Sequence, residues 1–361
     1  MRVRIYGAGS IGNHLAHASR HLGWSVTMCD ISQEAIQRTR ELIYPSRYGK
    51  WDSEIAICTV EQLVKKPADL IIIGTPPDSH FELAMEAIAE RPEGVLIEKP
   101  LAGPSEEEVW KISEYSKEQG VRVFVGYDHT VGTAAVNLAQ RIQSGEVGEP
   151  NFIDVSFREH WGGIFDAHPW LDGPADSYLG FWKRGGGATG EHSHGINFWQ
   201  FLSHRLGAGR IVAVRADIDY VDNCNVDYDD SAYISVVTET GLRGRIVQDT
   251  KTTPPIKEAI IGGKRGNITW RTCGNRGFDE VISANLINTQ EEKFYKKRPD
   301  DFILELQEIS GALLDPSKET SLDLKYGLDT FYVIKAAHLS ARSGKEIKIS
   351  YNGAKVSFES I

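Results

Sequence analysis

Residues 185–197 read GGGATGEHSHGIN, a glycine triplet followed by one glutamate and two histidines. Glu191, His192 and His194 are of types that serve proton transfer, metal ligation or the solvation of a polar helix start. On a single helix Glu191, His194 and Asn197 share a face at i, i+3 and i+6, while His192 points elsewhere. A metal site would draw on Asp166, His168, Glu191, His192 and His194. The H-x-H spacing suits one helix face poorly and no HExxH is present, so no metal is expected. The preferred chemistry is proton transfer, because an imidazole titrates near neutrality and so suits the oxidation of an alcohol.

A second run with chemical meaning opens the chain. GAGSIG places Gly7, Gly9 and Gly12 in a G-x-G-x-x-G between a strand pattern and a helix pattern. Gly7 permits a tight turn, Gly9 lets backbone approach a pyrophosphate, and Gly12 lets helix and strand pack closely. Ser10 and Ile11 then lie at the helix start, where free N–H groups face an anion. Asp30 ends the next strand pattern, about 20 residues on, where an acid accepts hydrogen bonds from ribose hydroxyls and repels a 2′-phosphate. Ile31 follows it in place of a phosphate-binding arginine. NAD is therefore expected as cofactor, with NADP disfavoured.

Such residues need a scaffold, and the pattern supplies one. RVRIY, WSVTMCD, DLIIIGT, GVLIEKP and VRVFVGY read as strands alternating with helices, which means right-handed βαβ units and a doubly wound parallel sheet. After about residue 128, strands come in succession (RIVAVRADIDYV, DSAYISVVTET, LRGRIVQDT, KEAIIGG, NITW, EVISANL), and TETGLRG reads as a hairpin turn. The expected fold is α/β: a Rossmann domain over residues 1–127, then an α+β domain over 128–361 with an open, mostly antiparallel sheet. Two helices are expected to close the chain, the second (323–343) packing back near the first domain.

Composition narrows the function classes. A length of 361 residues favours two domains, and a formal charge of −10 argues against a nucleic-acid partner or an anionic membrane surface. Cys29, Cys58, Cys224 and Cys273 form no CxxC pair and read as reduced thiols. With no leader pattern and no apolar span, a cytoplasmic protein is expected.

Beyond these general signals, Thr75-Pro76-Pro77-Asp78-Ser79-His80 and Glu98-Lys99-Pro100 resemble the TPxxxH and EKP stretches of the Gfo/Idh/MocA family. Gly126-Tyr127, GEVGEP, the glycine triplet, IIGGKRGNITW and SARSGK extend the resemblance over nearly the whole chain. It implies a dehydrogenase acting on a sugar, sugar derivative or cyclitol, assembled as a homodimer or homotetramer through the C-terminal sheet. Lys99 maps onto the lysine that meets the substrate oxygen. Thr75, Pro76, Pro77, His80 and Glu98 join the cofactor cleft, with His80 also suited to packing at a helix start. His194 takes the catalytic histidine position of a D-x-x-x-H-x-x-D helix. Here the sequence departs from the pattern: Gly190 stands at the first Asp position, with Glu191 beside it, and Asn197 at the last. Glu191 or His192 is expected to assist, or Lys99 and His194 to work alone. Asp128 and His129 follow the last Rossmann strand and lie within reach of the site, or form an ordinary hinge turn.

The loop REHWGGIFDAHPWLDGPADSYLGFWKR mixes aromatic and charged residues. Flat rings beside polar groups suit a sugar or cyclitol. Tyr127, Arg158, His160, Trp161, Lys183, His192 and Asn197 are the expected substrate contacts. Two other classes remain: a lyase or glycosidase that retains NAD and oxidises transiently, and a non-catalytic dinucleotide- and sugar-binding sensor. The retained lysine and histidine argue against the sensor.

Overall fold

The computed structural model describes residues 1–166, 168–353 and 355–361. Its first sheet has six parallel strands: β1 (Arg2–Tyr6), β2 (Ser25–Asp30), β3 (Ile55–Thr59), β4 (Leu70–Ile73), β5 (Gly94–Ile97) and β6 (Arg122–Val125). Their order is β3-β2-β1-β4-β5-β6. Sequence order reverses between β1 and β4, which opens a crevice at the carboxyl ends of the strands, the usual ligand position in such sheets. β4 and β5 are buried along their whole length because helices cover both faces. The sequence reading finds no strand at Ile55–Thr59, an edge strand largely half-exposed.

The second sheet has ten strands: β7 (Pro150–Arg158), β8 (Ile211–Asp222), β9 (Asp227–Thr238), β10 (Arg243–Asp249), β11 (Ile256–Gly263), β12 (Gly266–Cys273), β13 (Phe278–Ala284), β14 (Thr289–Tyr295), β15 (Ile347–Asn352) and β16 (Lys355–Ser360). All neighbours are antiparallel except β7 and β10. The fold class expected from the sequence is thus the one observed. One detail is corrected: the hairpin β15–β16, not a helix, closes the chain and forms one edge of this sheet.

Alternation along β7 divides the sheet's two faces. Ile153, Val155 and Phe157 are buried against helices, while Asp154, Ser156 and Arg158 line the open face. The returning helices serve both cores. Phe302, Leu306, Ile309 and Ala312 of helix Asp300–Leu314 pack into the N-terminal core. Helix Leu324–Ser343 gives Leu324, Leu328 and Phe331 to that core and Val333, Ile334 and Ala337 to the other. Arg122 fixes the return, bonding Asp323 Oδ1 and the carbonyls of Ala312 and Lys318. Among the described residues, no helix is long and apolar enough to cross a membrane.

Candidate active site

The Gly-rich turn lies between β1 and helix Ser10–His21, at the reversal of strand order. Gly7 has φ +105°, and a Cβ on Gly12 would stand 2.0 Å from the Gly7 carbonyl oxygen. A Cβ on Gly9 would meet nothing within 4 Å, so space is open in front of the turn. No side chain caps the helix N-terminus, which leaves its first N–H groups for an anion. Asp30 accepts the Ala8 N–H at 2.7 Å and the Ser32 N–H at 2.9 Å, which holds its carboxylate at the end of β2. Ile31 beside it is 89 % exposed. Helix Gln33–Arg38 continues through a π-helical turn, Thr39–Ile43, into Tyr44–Tyr48. This lets Thr39 Oγ1 bond the Ala8 carbonyl and Arg47 bond the carbonyl and hydroxyl of Ser10, at 2.9 and 2.8 Å. These residues fit a dinucleotide: an open glycine, uncapped helix amides and a fixed carboxylate at the end of β2.

The two motif turns lie beside the glycine triplet. Thr75 Oγ1 is 2.7 Å from Ser79 Oγ. His80 is buried, with Nε2 2.8 Å from the Thr75 carbonyl and Nδ1 3.0 Å from the Pro100 carbonyl. Its ring thus ties the TPP turn to the EKP turn and is not presented to the crevice. A Cβ on Gly185 would stand 2.8 Å from Pro77 Cβ and 3.2 Å from Pro100 Cγ. Glycine at that position allows the second domain to approach both turns. The Lys99–Pro100 bond is cis.

That approach brings Lys99 to Glu191. Lys99 Nζ is 3.1 Å from Glu191 Oε1 and donates to the Glu191 carbonyl at 3.0 Å. Tyr178 donates to Glu191 Oε2 at 3.5 Å. Burial would raise the Glu191 carboxyl, but Lys99, aided by His192, outweighs it and holds the group below the ordinary range. Burial and the facing Glu191 push the Tyr178 phenol far up, so it remains a donor.

His194 approaches Asp128, with Nδ1 3.8 Å from Asp128 Oδ1; His129 Nδ1 is 3.1 Å from the same oxygen. The two imidazoles stack with centroids 4.4 Å apart and planes 20° apart, and the Tyr127 ring meets His194 edge-on at 5.6 Å. Burial, followed by the neighbouring His129, lowers His194 well below the usual imidazole range; Lys99 adds to this and Asp128 opposes it. His194 is therefore neutral near pH 7. Asp128 carries the local negative charge: burial opposes ionisation, but His129 and His194 hold its carboxyl far below the usual range. Glu98, by contrast, is pushed up to about 8 by burial and by Asp128. Glu305, buried with both carboxyl oxygens unpartnered among the described residues, is raised well above the usual range by burial, Glu98 and Asp128.

The sequence expectation of one helix is corrected. Helix Gly187–Glu191 ends before His192, and a second helix runs His194–Arg205. Glu191 and Asn197 consequently do not share a face: Glu191 meets Lys99, whereas Asn197 bonds Thr330 Oγ1 at 3.0 Å. His192 is buried between these helices, its imidazole lowered to about 4 by burial and by Lys257. Asp166 and His168 do not join Glu191, His192 and His194. The one group of metal-ligand types found among the described residues is Asp128, His129 and His194. Their ligating atoms all lie within 4.8 Å of one another.

Of the expected substrate contacts on and after β7, Arg158 faces away from the site. Arg158 is on the open face of the sheet, bonded to Asp249 at 2.6 Å. His160 is exposed and accepts the Gly162 N–H. Trp161 is buried against Phe165 and Tyr228, and Lys183 is exposed beside the Trp182 ring. Period-2 alternation accounts for Arg158: Phe157 faces His129, so its neighbour faces away. Sequence reasoning placed Tyr178 in the aromatic loop without a partner, and missed Glu305 and the Lys257–Glu159 pair at 2.6 Å, whose lysine bears on Glu191, His192 and His194. No local spacing signalled any of them.

Comparison with known proteins decides the family. The model of the GFO/IDH/MocA oxidoreductase family with an NAD-binding Rossmann fold matches residues 1–127, and that of the GFO/IDH/MocA C-terminal domain matches residues 136–269. The chain belongs to the GFO/IDH/MocA family. The family is one of oxidoreductases, and residues 1–127 match its NAD-binding Rossmann domain. A curated relative, scyllo-inositol 2-dehydrogenase (NAD(+)) of Bacillus subtilis (strain 168), is 32 % identical over 179 residues, covering 46 % of this chain and 49 % of the relative. The chain thus spans about half the length of the curated relative it matches. Among solved structures, levoglucosan dehydrogenase in complex with NADH and L-sorbose has a TM-score of 0.77 at 17 % identity, covering 96 % of this chain and 98 % of its own. A putative myo-inositol dehydrogenase from Sinorhizobium meliloti 1021 has 0.74 at 18 % identity, covering 97 % and 100 %. Both structures share the fold described above.

Proposed function

We propose that this protein oxidises a secondary hydroxyl of a sugar, sugar derivative or cyclitol with NAD. The observation that carries this reading is the convergence of an ion-paired lysine and a neutral, aspartate-backed histidine beside the dinucleotide crevice. Bound NAD supplies the hydride acceptor. His194 takes the hydroxyl proton, and Asp128 stabilises the imidazolium that results. The Lys99 ammonium, steered by the carboxylate and carbonyl of Glu191, stabilises the oxyanion that develops on the substrate. Asp128 thus fills the assisting role left empty by Gly190, from the end of β6 and not from the helix. Asp30 and the exposed Ile31 support NAD over NADP. The inositol dehydrogenase relative and the sugar and inositol dehydrogenase folds support a polyol substrate.

Reduced nicotinamide absorbance over a panel of inositols, sugars, glycosides, sugar acids and nucleotide sugars tests this. Substrate-dependent NADH formation is expected with NAD, and little with NADP. One observation favours a second reading. The loop after β7 clasps the dinucleotide domain at two places: Arg38 lies over the Trp170 ring at 4.6 Å, and Arg184 bonds Asp78 at 2.7 Å. A retained cofactor would suit a lyase or glycosidase that oxidises transiently. Product formation without net NADH would select it.

The open face of the ten-stranded sheet exposes Phe152, Tyr233 and Ile256. This supports self-association through that sheet, which solution mass measurement tests.

A further inference from the structure

Helix Gly187–Glu191 has five residues, too few to hold its own shape in water, so neighbouring elements must hold it. Its N-cap is Gly186, which has no side chain to bond the first N–H groups. The bond that a capping serine or aspartate makes comes instead from β9. Asp229 Oδ2 accepts the Thr189 N–H, the third of the helix, at 2.6 Å. Asp229 is buried, and a carboxylate is the charge that the positive end of a helix favours.

The glycines make this arrangement possible. A Cβ on Gly186 would strike the carbonyls of Tyr178 and Leu179. One on Gly187, which has φ +74°, would stand 2.6 Å from Asp229 Cγ. With Gly185 against Pro77 and Pro100, each member of the triplet clears a different neighbour. A Cβ on Gly190 would strike the Gly185 carbonyl, so no acid can stand at that position of this helix.

The Thr189 hydroxyl is held as well. Its Oγ1 is 3.0 Å from His338 Nε2, and His338 Nδ1 is 2.7 Å from the Tyr220 hydroxyl. The buried His338 ring stacks on Trp182 with centroids 4.3 Å apart. Thr189 is thus tied through its backbone to β9 and through its side chain to helix Leu324–Ser343. Glu191 lies two residues further on and ends the helix. Both Lys99 contacts, to the carboxylate and to the carbonyl of Glu191, move with this helix.

We infer that Asp229 is a positioning residue for Lys99: it caps helix Gly187–Glu191 from another strand and so fixes the residue that holds the lysine. Loss of the cap lets the helix shift, which releases Lys99 from both contacts at once. The consequence for rate rests on the reading that Lys99 serves the oxidation; the consequence for the lysine itself does not.

Labelling of lysines with acetic anhydride, read residue by residue by mass spectrometry on the purified full chain, tests this without substrate or turnover. Lys99 is compared with Lys296 and Lys335, which are also largely enclosed and ion-paired. Asp229→Ala removes the cap, and Asp229→Asn keeps an acceptor in its place. Lys99 labelling is expected to rise about fivefold or more over the two reference lysines in Asp229→Ala, and to return near the wild-type rate in Asp229→Asn. An unchanged Lys99 in a folded Asp229→Ala, a rise shared by all three lysines, or an equal rise in Asp229→Asn overturns the inference. If Asp229→Ala does not fold, Thr189→Val decides: it cuts the tie to His338 at nearly constant volume. Selective release of Lys99 is expected there too, and its absence overturns the inference. Failure to form NADH from any substrate rejects the dehydrogenase reading and leaves the labelling result standing.

Discussion

Lys99 is held by a single residue at two points, its Nζ standing 3.1 Å from the Glu191 carboxylate and 3.0 Å from the Glu191 carbonyl. The carbonyl contact survives substitution of the side chain, but the charge does not. Glu191→Gln is accordingly expected to lower kcat by about tenfold while leaving the fold intact. Lys99→Met should lower it by about 10²–10³-fold, the usual scale for losing a charge that stabilises an oxyanion. Steady-state kinetics on both variants, with melting temperature as control, check the order.

Asp128 is predicted to act through His194, so its removal should alter a pH profile as well as a rate. Its negative charge raises the His194 imidazole against the effect of burial. Asp128→Asn takes that support away and lowers the imidazole further. The acidic limb of kcat/KM is expected to move to lower pH, with kcat down about tenfold. An unshifted limb would sink the assignment.

Chelation provides a third check. Asp128, His129 and His194 have ligand types, with ligating atoms within 4.8 Å of one another, but the proposed chemistry asks only proton transfer of them. Activity is expected to survive exhaustive treatment with a chelator. Loss of activity restored by a divalent cation would reverse that reading.

The Gly-rich turn separates binding from folding. A Cβ on Gly12 would strike the Gly7 carbonyl at 2.0 Å, whereas one on Gly9 meets no protein atom within 4 Å. Gly12→Ala should therefore lower the melting temperature. Gly9→Ala should leave it unchanged and weaken NAD about tenfold or more, through the space that the pyrophosphate needs. Calorimetry and NAD titration distinguish the two.

Acid stability follows from three buried imidazoles. Burial lowers His14 and His338 to about 3 and His192 to about 4. In the unfolded chain each takes up a proton near pH 6.5; in the folded chain each stays neutral until far lower pH. The unfolded state binds more protons across that window, so stability falls as pH drops from about 6.5 towards 4. The slope approaches ~1.4 kcal/mol per pH unit for each histidine involved. Denaturant unfolding at pH 7 and pH 5 measures it, and His338→Gln should flatten the slope.

What the sequence made legible was local. The Gly-rich turn, Asp30, and the TPP and EKP turns each carry their meaning within a few residues. The order of strands and helices followed from apolar runs buried on two faces. Edge strands escaped notice because they lack such runs: β14 is TQEEKFY, almost wholly exposed, and β16 is KVSFES. The helix break at His192–Ser193 has no breaker residue to announce it, so the face assigned to Asn197 was not the one found. The partnership of Asp128 with His194, and the influence of Lys257 on both histidines of the turn, arise between distant segments. Only tertiary packing creates them.

The two helices that return to the N-terminal sheet set an order of events during synthesis. β6, with Phe124 and Val125, leaves the ribosome early, but its cover, helix Leu324–Ser343, follows much later: the Arg122 anchor at Asp323 is 201 residues further on. The dinucleotide half therefore cannot close its core as it emerges. That core closes only once the strands from β7 to β14 and both returning helices have been made, so the two halves of the chain complete their folding together.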